Sequence, residues 1–382
     1  MAISPSELRV AVFSGNYNYC ADGVALVLNK LVAYLLTRGV QVQIFAPTSK
    51  IPALKHAGEL TSIPSVTFPL NDNYRLAWGI PPHVERKIER FQPHLFHLAS
   101  PDLLGLAALR LARRMRIPAV ATYHTHFGSY MKYFGLGFLE PLTWRVMRSF
   151  YDRTRETYVP SASMRELLRG KGFACPMKVW EHGVDVEKFN PSRRSLEWRR
   201  SNGIQDHEIL VGFVGRIVWE KAVATWGDVI ERLEKSGRPI RSIMIGSGPA
   251  LAALQQRLKN TLFPGYMPHD VLATAFASMD AFLYPSLSET FGCVTLEAMA
   301  SGVPPIAADA TGSRDIIKND VDGFLCKASD VEDFAGRVIE LADDAALRDR
   351  LREAGLRHAA NSSWESVLEQ MVRHYQEIVS PE

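Results

Sequence analysis

Residues 286–302, SLSETFGCVTLEAMASG, set Glu289 and Glu297 eight positions apart around a Thr-Phe-Gly turn. Two carboxylates flanking a glycine-bearing helix start are suited to grasping a ligand. The first N–H groups of a helix lack intrahelical acceptors, and with the helix dipole they attract phosphate. Gly292 lets the backbone approach a ligand closely. The pattern predicts a helix from Phe291 or Gly292, leaving the amides of Thr290, Phe291 and Gly292 for an anion. Glu297 then lies about 8 Å along the helix axis, placed to hold a sugar hydroxyl. Glu289, before the turn, would hold a different hydroxyl, so the two carboxylates act apart. Spacing alone fits two surface glutamates equally well.

A second cluster is VGRIVWEK, where Arg216 follows a strand and Lys221 comes five residues later. Cations at a strand's carboxyl end can neutralise a diphosphate. A solvated arginine and a helix-surface lysine are the ordinary alternative. In the first half, ATYHTHFGSYMKYFG places His124 and His126 just after a strand. The turn SGNYNYCADGV brings Gly15 and Gly23 to the first strand–helix junction. It is not a GxGxxG fingerprint, so a nicotinamide cofactor lacks support. Cys20, Cys175, Cys293 and Cys326 are widely spaced. Neither a disulfide framework nor a metal cluster is expected, and a reducing cytoplasm is the expected location.

These residues need strands and helices in alternation to position them. LRVAVFS, VQVQIFAP, LFHLAS and PAVATYHTH read as strands, with helices over VALVLNKLVAYLLTRG and LLGLAALRLARRMR. The logic repeats from ILVGFVGR through RSIMIGSGP, LAALQQRLKN, MDAFLYPS and VPPIAAD. Near-continuous apolar strands alternating with helices predict parallel sheets covered on both faces. At 382 residues two domains are expected. The aperiodic EHGVDVEKFNPSRRS divides them, giving domains at 1–182 and 183–360 and a terminal helix over 361–382. Two doubly wound domains facing across a cleft would bind ligand at the strands' carboxyl ends.

Together, GRIVWEK, IGSGP, HGVDVEKFNP and the run from FPGYMPHD through DVDGFL resemble retaining nucleotide-sugar glycosyltransferases of family 4, which have the GT-B fold. Glu289 and Glu297 match the family's E-x7-E. The resemblance is specific over 179–326 and continuous through the first half. It implies that Arg216 and Lys221 bind the donor diphosphate, that Glu289 contacts the transferred sugar, and that Glu297 contacts the ribose. It implies that the backbone of Thr290, Phe291 and Gly292 contacts phosphate and sugar. His124 would hydrogen-bond the sugar near its anomeric carbon, and Gly23, with Gly15 a weaker match, would approach the diphosphate. The terminal helix would cross back to the first domain. No metal or other cofactor is implied, because the cations and helix start meet the charge of the leaving group. Three positions depart from the pattern: Ala222 stands for the usual glycine after the lysine, His182 for asparagine, and Gly312-Ser313 for paired glycines.

The implied reaction moves a sugar from a nucleoside-diphosphate sugar to an acceptor hydroxyl with retention. A UDP-sugar is the favoured donor and GDP-mannose its rival. A binding protein without catalysis is the alternative from another class. Charge bears on the acceptor. Through His182 there are 22 Lys+Arg against 12 Asp+Glu, a formal +10, and the remaining 22 and 29 give −7. A basic half favours an anionic partner. Residues 130–155 mix large apolar side chains with Lys132, Arg145, Arg148, Arg153 and Arg155, a composition that can dock on anionic lipid, pack in the core or line a soluble acceptor pocket. The expected partners are thus a donor, a lipid or saccharide acceptor and an anionic membrane at the inner face of the cell. A nucleic-acid partner is not expected, since no reading motif is present.

Overall fold

The computed structural model describes residues 3–20, 22–68, 71–124, 138 and 140–380. The chain divides into two compact units, Met1–Glu181 with Val367–Glu382, and His182–Ser366.

The first unit holds seven parallel strands in the order β3-β2-β1-β6-β7-β8-β9. These are β1 (Arg9–Phe13), β2 (Gln41–Ala46), β3 (Glu59–Ser62), β6 (Leu95–Leu98), β7 (Ala119–Thr122), β8 (Glu156–Val159) and β9 (Met177–Val179). Strands β4 (Ser65–Phe68) and β5 (Asn71–Ala77) form a separate antiparallel ribbon. Phe13 stacks between Phe45 and Phe96, with ring centroids 5.0 Å away on each side, tying β2, β1 and β6 into one core. Four helices matter below: α1 (Gly23–Thr37), α2 (Pro82–Phe91), α3 (Leu103–Met115) and α4 (Glu140–Tyr151). α1 starts where Asp22 accepts the Ala25 N–H, and its apolar stripe of Ala25, Leu28, Leu31, Val32 and Leu35 is buried.

The second unit has its own core and six parallel strands in the order β12-β11-β10-β13-β14-β15. They are β10 (Ile209–Val214), β11 (Ile240–Ile245), β12 (Thr261–Gly265), β13 (Ala281–Tyr284), β14 (Pro305–Ala308) and β15 (Phe324–Cys326). Helix α5 (Val223–Glu234) follows β10, and α6 (Cys293–Ala300) follows β13. In each sheet the strand order reverses once, between β1 and β6 and between β10 and β13. Open parallel sheets bind ligands at that reversal, beyond the carboxyl ends of the strands.

The last helix, α7 (Trp364–Val379), starts three residues later than the sequence pattern placed it. Its Met371, Val372 and Tyr375 are fully buried. Within the first unit Glu369 accepts hydrogen bonds from Tyr34 and Arg38 of α1. The Tyr375 hydroxyl lies 2.5 Å from Nδ1 of His97, whose Nε2 is 3.2 Å from the Thr122 hydroxyl.

Burial pushes His97 from its ordinary 6.5 down to about 3, so the folded chain keeps this ring neutral. Between those values the unfolded chain binds a proton that the folded chain refuses, so stability falls as pH drops from 6.5. The expected slope is about 1.4 kcal/mol per pH unit from this one group. Urea unfolding of the first unit between pH 6 and 4 measures it. A His97→Leu/Tyr375→Phe variant should show a shallower dependence, and an unchanged slope would refute the assignment.

Candidate active site

The strand reversal in the second unit brings together the two clusters singled out by spacing. β10 delivers Arg216 and Lys221; β13 delivers Glu289. The loop after β10 is fixed backbone to backbone against the loop after β11. Gly215 N donates to Ile245 O, and Ile217 N to Ser247 O, at 3.0 and 2.9 Å. The glycines of IGSGP exist for this contact. A Cβ on Gly246 would lie 1.9 Å from Gly215 O, and one on Gly248 would lie 2.3 Å from Ile217 O.

Beyond Ile217 a short 3-10 turn, Trp219–Lys221, swings Lys221 inward. Its ammonium sits 2.5 Å from Oε1 of Glu289, with only 14% and 12% of the two side chains exposed. The same oxygen accepts from Ser286 Oγ at 2.7 Å and from the Tyr284 hydroxyl at 3.0 Å. Burial pushes the Glu289 carboxyl up. The Lys221 charge and the hydrogen bonds from Lys221, Ser286 and Tyr284 outweigh burial, and its pKa ends below the usual carboxylate value. Glu289 is therefore an anion held rigid by three donors.

The turn after Glu289 is clamped from the other side. Gly312 has φ +82°, and a Cβ there would stand 2.7 Å from both Glu289 Cβ and Phe291 O. Gly292 takes φ +105° and caps α6, so the helix begins at Cys293. This moves the expected anion-facing donors: the first-turn amides belong to Cys293 and Val294 rather than to Thr290, Phe291 and Gly292. Phe291 is itself buried, its ring 5.2 Å from His182. His182 is buried, lowered to about 4 by desolvation, and faces Cys293 Sγ at 3.3 Å. A neutral imidazole thus braces both Phe291 and the first residue of α6. Glu297 is half-buried on α6, one turn beyond Cys293. Its charge, after burial, helps raise the Cys293 thiol to about 12.

Arg216 lies close enough to act electrostatically on the buried Tyr284 of the same site. Its side chain is 60% exposed and reaches Glu220 only at 4.0 Å. Glu220, Tyr284 and Ser286 escaped the reading of the sequence. Only Ser286 had a usable signal, lying three residues before Glu289. One Asp-x-Asp, Asp320 and Asp322, also escaped it. Asp322 accepts from Lys318 N and sits 2.9 Å from His358 Nδ1, a structural pin.

His124 and Gly23 belong to the first unit. His124 follows β7, half-buried, its ring 6.4 Å from Trp180 in an edge-on arrangement. Gly23 opens α1, and a Cβ there would meet no atom within 4 Å. Gly15 serves packing: a Cβ there would sit 2.1 Å from the Asp102 carboxylate. His126 lies outside the described residues, as do residues 130–137 and 139 of the basic apolar segment.

Two doubly wound units, each with a ligand-binding strand reversal, define the GT-B class of glycosyltransferases. Anabaena Alr3699/HepE in complex with UDP and glucose superposes with a TM-score of 0.77 at 16% identity, over 97% of this chain and all of that one. Residues 195–358 match the model for glycosyl transferases group 1, and residues 21–188 that for Glycosyltransferase Family 4. The chain is 30% identical to a GDP-mannose-dependent alpha-mannosyltransferase of Corynebacterium glutamicum over 98% of its own length and 90% of the relative. It is 27% identical to an alpha-monoglucosyldiacylglycerol synthase of Streptococcus pneumoniae, over 87% and 78%. The chain belongs to glycosyltransferase family 4 and is a hexosyltransferase.

Ala222, where the family has glycine, adopts the left-handed φ of +52° and immediately precedes α5. A Cβ in that conformation costs about 1–2 kcal/mol, against about 0.5–1 kcal/mol of backbone entropy for a glycine. Ala222→Gly is therefore expected to raise the urea midpoint of the second unit. A lowered midpoint would show that the turn is not strained.

Proposed function

We propose that the chain is a retaining transferase that moves mannose from GDP-mannose to a hydroxyl of a membrane lipid. The observation that carries the reading is the convergence of Lys221, Glu289 and the start of α6 at the strand reversal of the second unit. Lys221, with Arg216 swinging in from solvent, meets the diphosphate. The amides of Cys293 and Val294 add donors at the helix start. Glu289 accepts from a hydroxyl of the transferred sugar, and Glu297 from the ribose. His124 hydrogen-bonds the sugar near its anomeric carbon, and Gly23 leaves room for phosphate. In the chemical step the bond from the anomeric carbon to the β-phosphate oxygen breaks, and its electron pair leaves with the diphosphate. The acceptor oxygen bonds the same face of that carbon, and its proton passes to the departing phosphate. The positive groups stabilise the charge that develops, so no metal is assigned a role.

The sequence alone favours a UDP-sugar. The near-full-length relative named for GDP-mannose supports guanine instead, whereas the UDP-bound neighbour is too distant in sequence to argue more than fold. A UDP-sugar remains the second reading. The lipid acceptor rests on the diacylglycerol-acting relative and on α4. There Leu142 and Val146, four apart, are 57% and 49% exposed, with exposed Arg145 beside them, and Phe138, two residues before the helix, is 76% exposed. Among the described residues no helix is long and apolar enough to cross a membrane. An exposed apolar stripe flanked by cations fits an anionic bilayer surface.

Two measurements test this. In thermal-shift titrations GDP should stabilise the protein more than UDP at equal concentration, since ligands stabilise by mass action; the reverse order would favour the UDP-sugar reading. Lys221→Ala should weaken donor binding about 10–100-fold, the worth of a charge-assisted hydrogen bond. It should also lower stability by stranding Glu289. Lys221→Ala/Glu289→Gln should recover stability but not affinity. Normal donor binding by that double variant would misplace the site.

A further inference from the structure

The first unit carries a second cationic site, away from the residues assigned to the reaction. A cavity of about 290 Å³ is lined by Leu106, Leu109, Arg110 and Arg113 of α3 and by Arg153, just past the end of α4. Arginines in the last turn of a helix are ordinary, since they answer its dipole. Three features set this group apart. Arg153 arrives from a different element. Leu106 and Leu109 give the cavity an apolar wall. Among the described residues, none of the three arginines has a carboxylate within 4.0 Å.

The neighbouring charges show why. Arg114, one residue along α3, turns the other way and pairs with Glu85 of α2. Asp152, beside Arg153, is occupied by the N–H groups of Ala174 and Cys175 at 2.9 and 3.0 Å. The acids that might neutralise the cavity are thus committed elsewhere. Arg155 N donates to Ala119 O, which places the cavity at the amino end of β7. His124 follows the carboxyl end, five residues beyond Ala119 or about 16 Å along the sheet. Within this unit the cavity is separate from His124 and the carboxyl end of the sheet.

Its surroundings identify the occupant. β6, β7 and β8 are neighbours in chain order. Right-handed crossovers therefore put α3 and α4 on one face of the sheet. That face carries Leu142 and Val146, continues to Arg153, and has Leu103 38% exposed on α3. A Cβ on Gly79 would lie 4.0 Å from Ala107 of α3, and adjacent Trp78 is 69% exposed. Exposed tryptophan and aliphatic side chains on the same face as unneutralised arginines match the boundary between acyl chains and headgroups.

We propose that Arg110, Arg113 and Arg153 bind the phosphate of an anionic phospholipid headgroup while the apolar side chains around them enter the interface. This rests on the membrane reading above and names the site that gives it lipid selectivity. The guanidinium forks suit a phosphate better than lysine would. The test uses the full chain, flotation with phosphatidylcholine vesicles, alone or mixed with phosphatidylglycerol, and three proteins. Wild type should bind the mixed vesicles and not the neutral ones. Arg110→Gln/Arg113→Gln/Arg153→Gln should lose about a hundred-fold in affinity, roughly five-fold per charge. Its thermal shift with GDP should match wild type. Leu142→Glu should also lose binding.

If the triple variant floats like wild type while Leu142→Glu does not, the membrane reading stands and the cavity's role is overturned. If wild type binds no vesicle, both fall. Glycerol 3-phosphate serves as the soluble probe. If it stabilises wild type but not the triple variant, and vesicle binding is indifferent to the arginines, the ligand is a free phosphate ester and the headgroup assignment is overturned.

Discussion

Lys221 and Glu289 are withdrawn from water together, and neither tolerates that environment without the other. Removing one partner from such a pair strands a buried charge, at a cost of about 3–5 kcal/mol. Ser286 and Tyr284 spend their hydroxyl protons on the same carboxylate oxygen. The result is an anion whose position is determined before any ligand arrives. A carboxylate fixed in this way loses little freedom when it accepts a hydrogen bond from a ligand. Positioning of this kind is what phosphate-leaving chemistry requires of a protein.

The pair depends in turn on loops that touch through bare backbone. Gly246 and Gly248 press on the turn that carries Arg216. Gly312 presses on the turn that carries Glu289. At each point a methyl group would collide with a main-chain atom, so the spacing between β10, β11, β13 and β14 at their carboxyl ends is set by glycine. Ala222 is the exception. It holds a left-handed turn with a side chain present, and it stands next to the very lysine being positioned. Local strain at a functional turn persists when the surroundings over-determine it. The hydrogen bonds from Lys221 N to Val218 O and from Ala222 N to Trp219 O do that here.

Much of this was legible in the sequence, for identifiable reasons. Strands buried on both faces write themselves as unbroken apolar runs, so β1, β2, β10 and β13 stood out. Spacing left Arg216, Lys221, Glu289 and Glu297 open to a surface reading, and their resemblance to the family's motifs pointed to one ligand. Three things were not legible. The pairing of Lys221 with Glu289 joins residues 68 apart and follows only from the strand reversal. The start of α6 was misplaced because Gly292 adopts a left-handed cap, which a helical pattern cannot show. Strands β3 and β4 were missed because they are four residues long, without the alternation that marks a strand, and β5 because its opening Asn-Asp-Asn reads as a turn.

The charge asymmetry of the chain takes on a local meaning in the two units. In the second, surplus acids consume the surface arginines: Arg232 pairs with Glu332, Arg238 with Asp343, and Arg257 with both Asp228 and Glu231. In the first, the few acids are drawn into particular contacts, Glu85 to Arg114, Asp152 to backbone amides and Asp102 to the cap of α3. Among the described residues this leaves Arg110, Arg113 and Arg153 with no carboxylate within 4.0 Å, on a face that also exposes leucine and tryptophan. Salt screens scattered charges over about 10 Å. Cations that share one cavity escape much of that screening because a ligand displaces the intervening water. A net charge spread evenly would serve solubility alone, whereas one concentrated in this way selects for an anion that brings its own apolar surroundings.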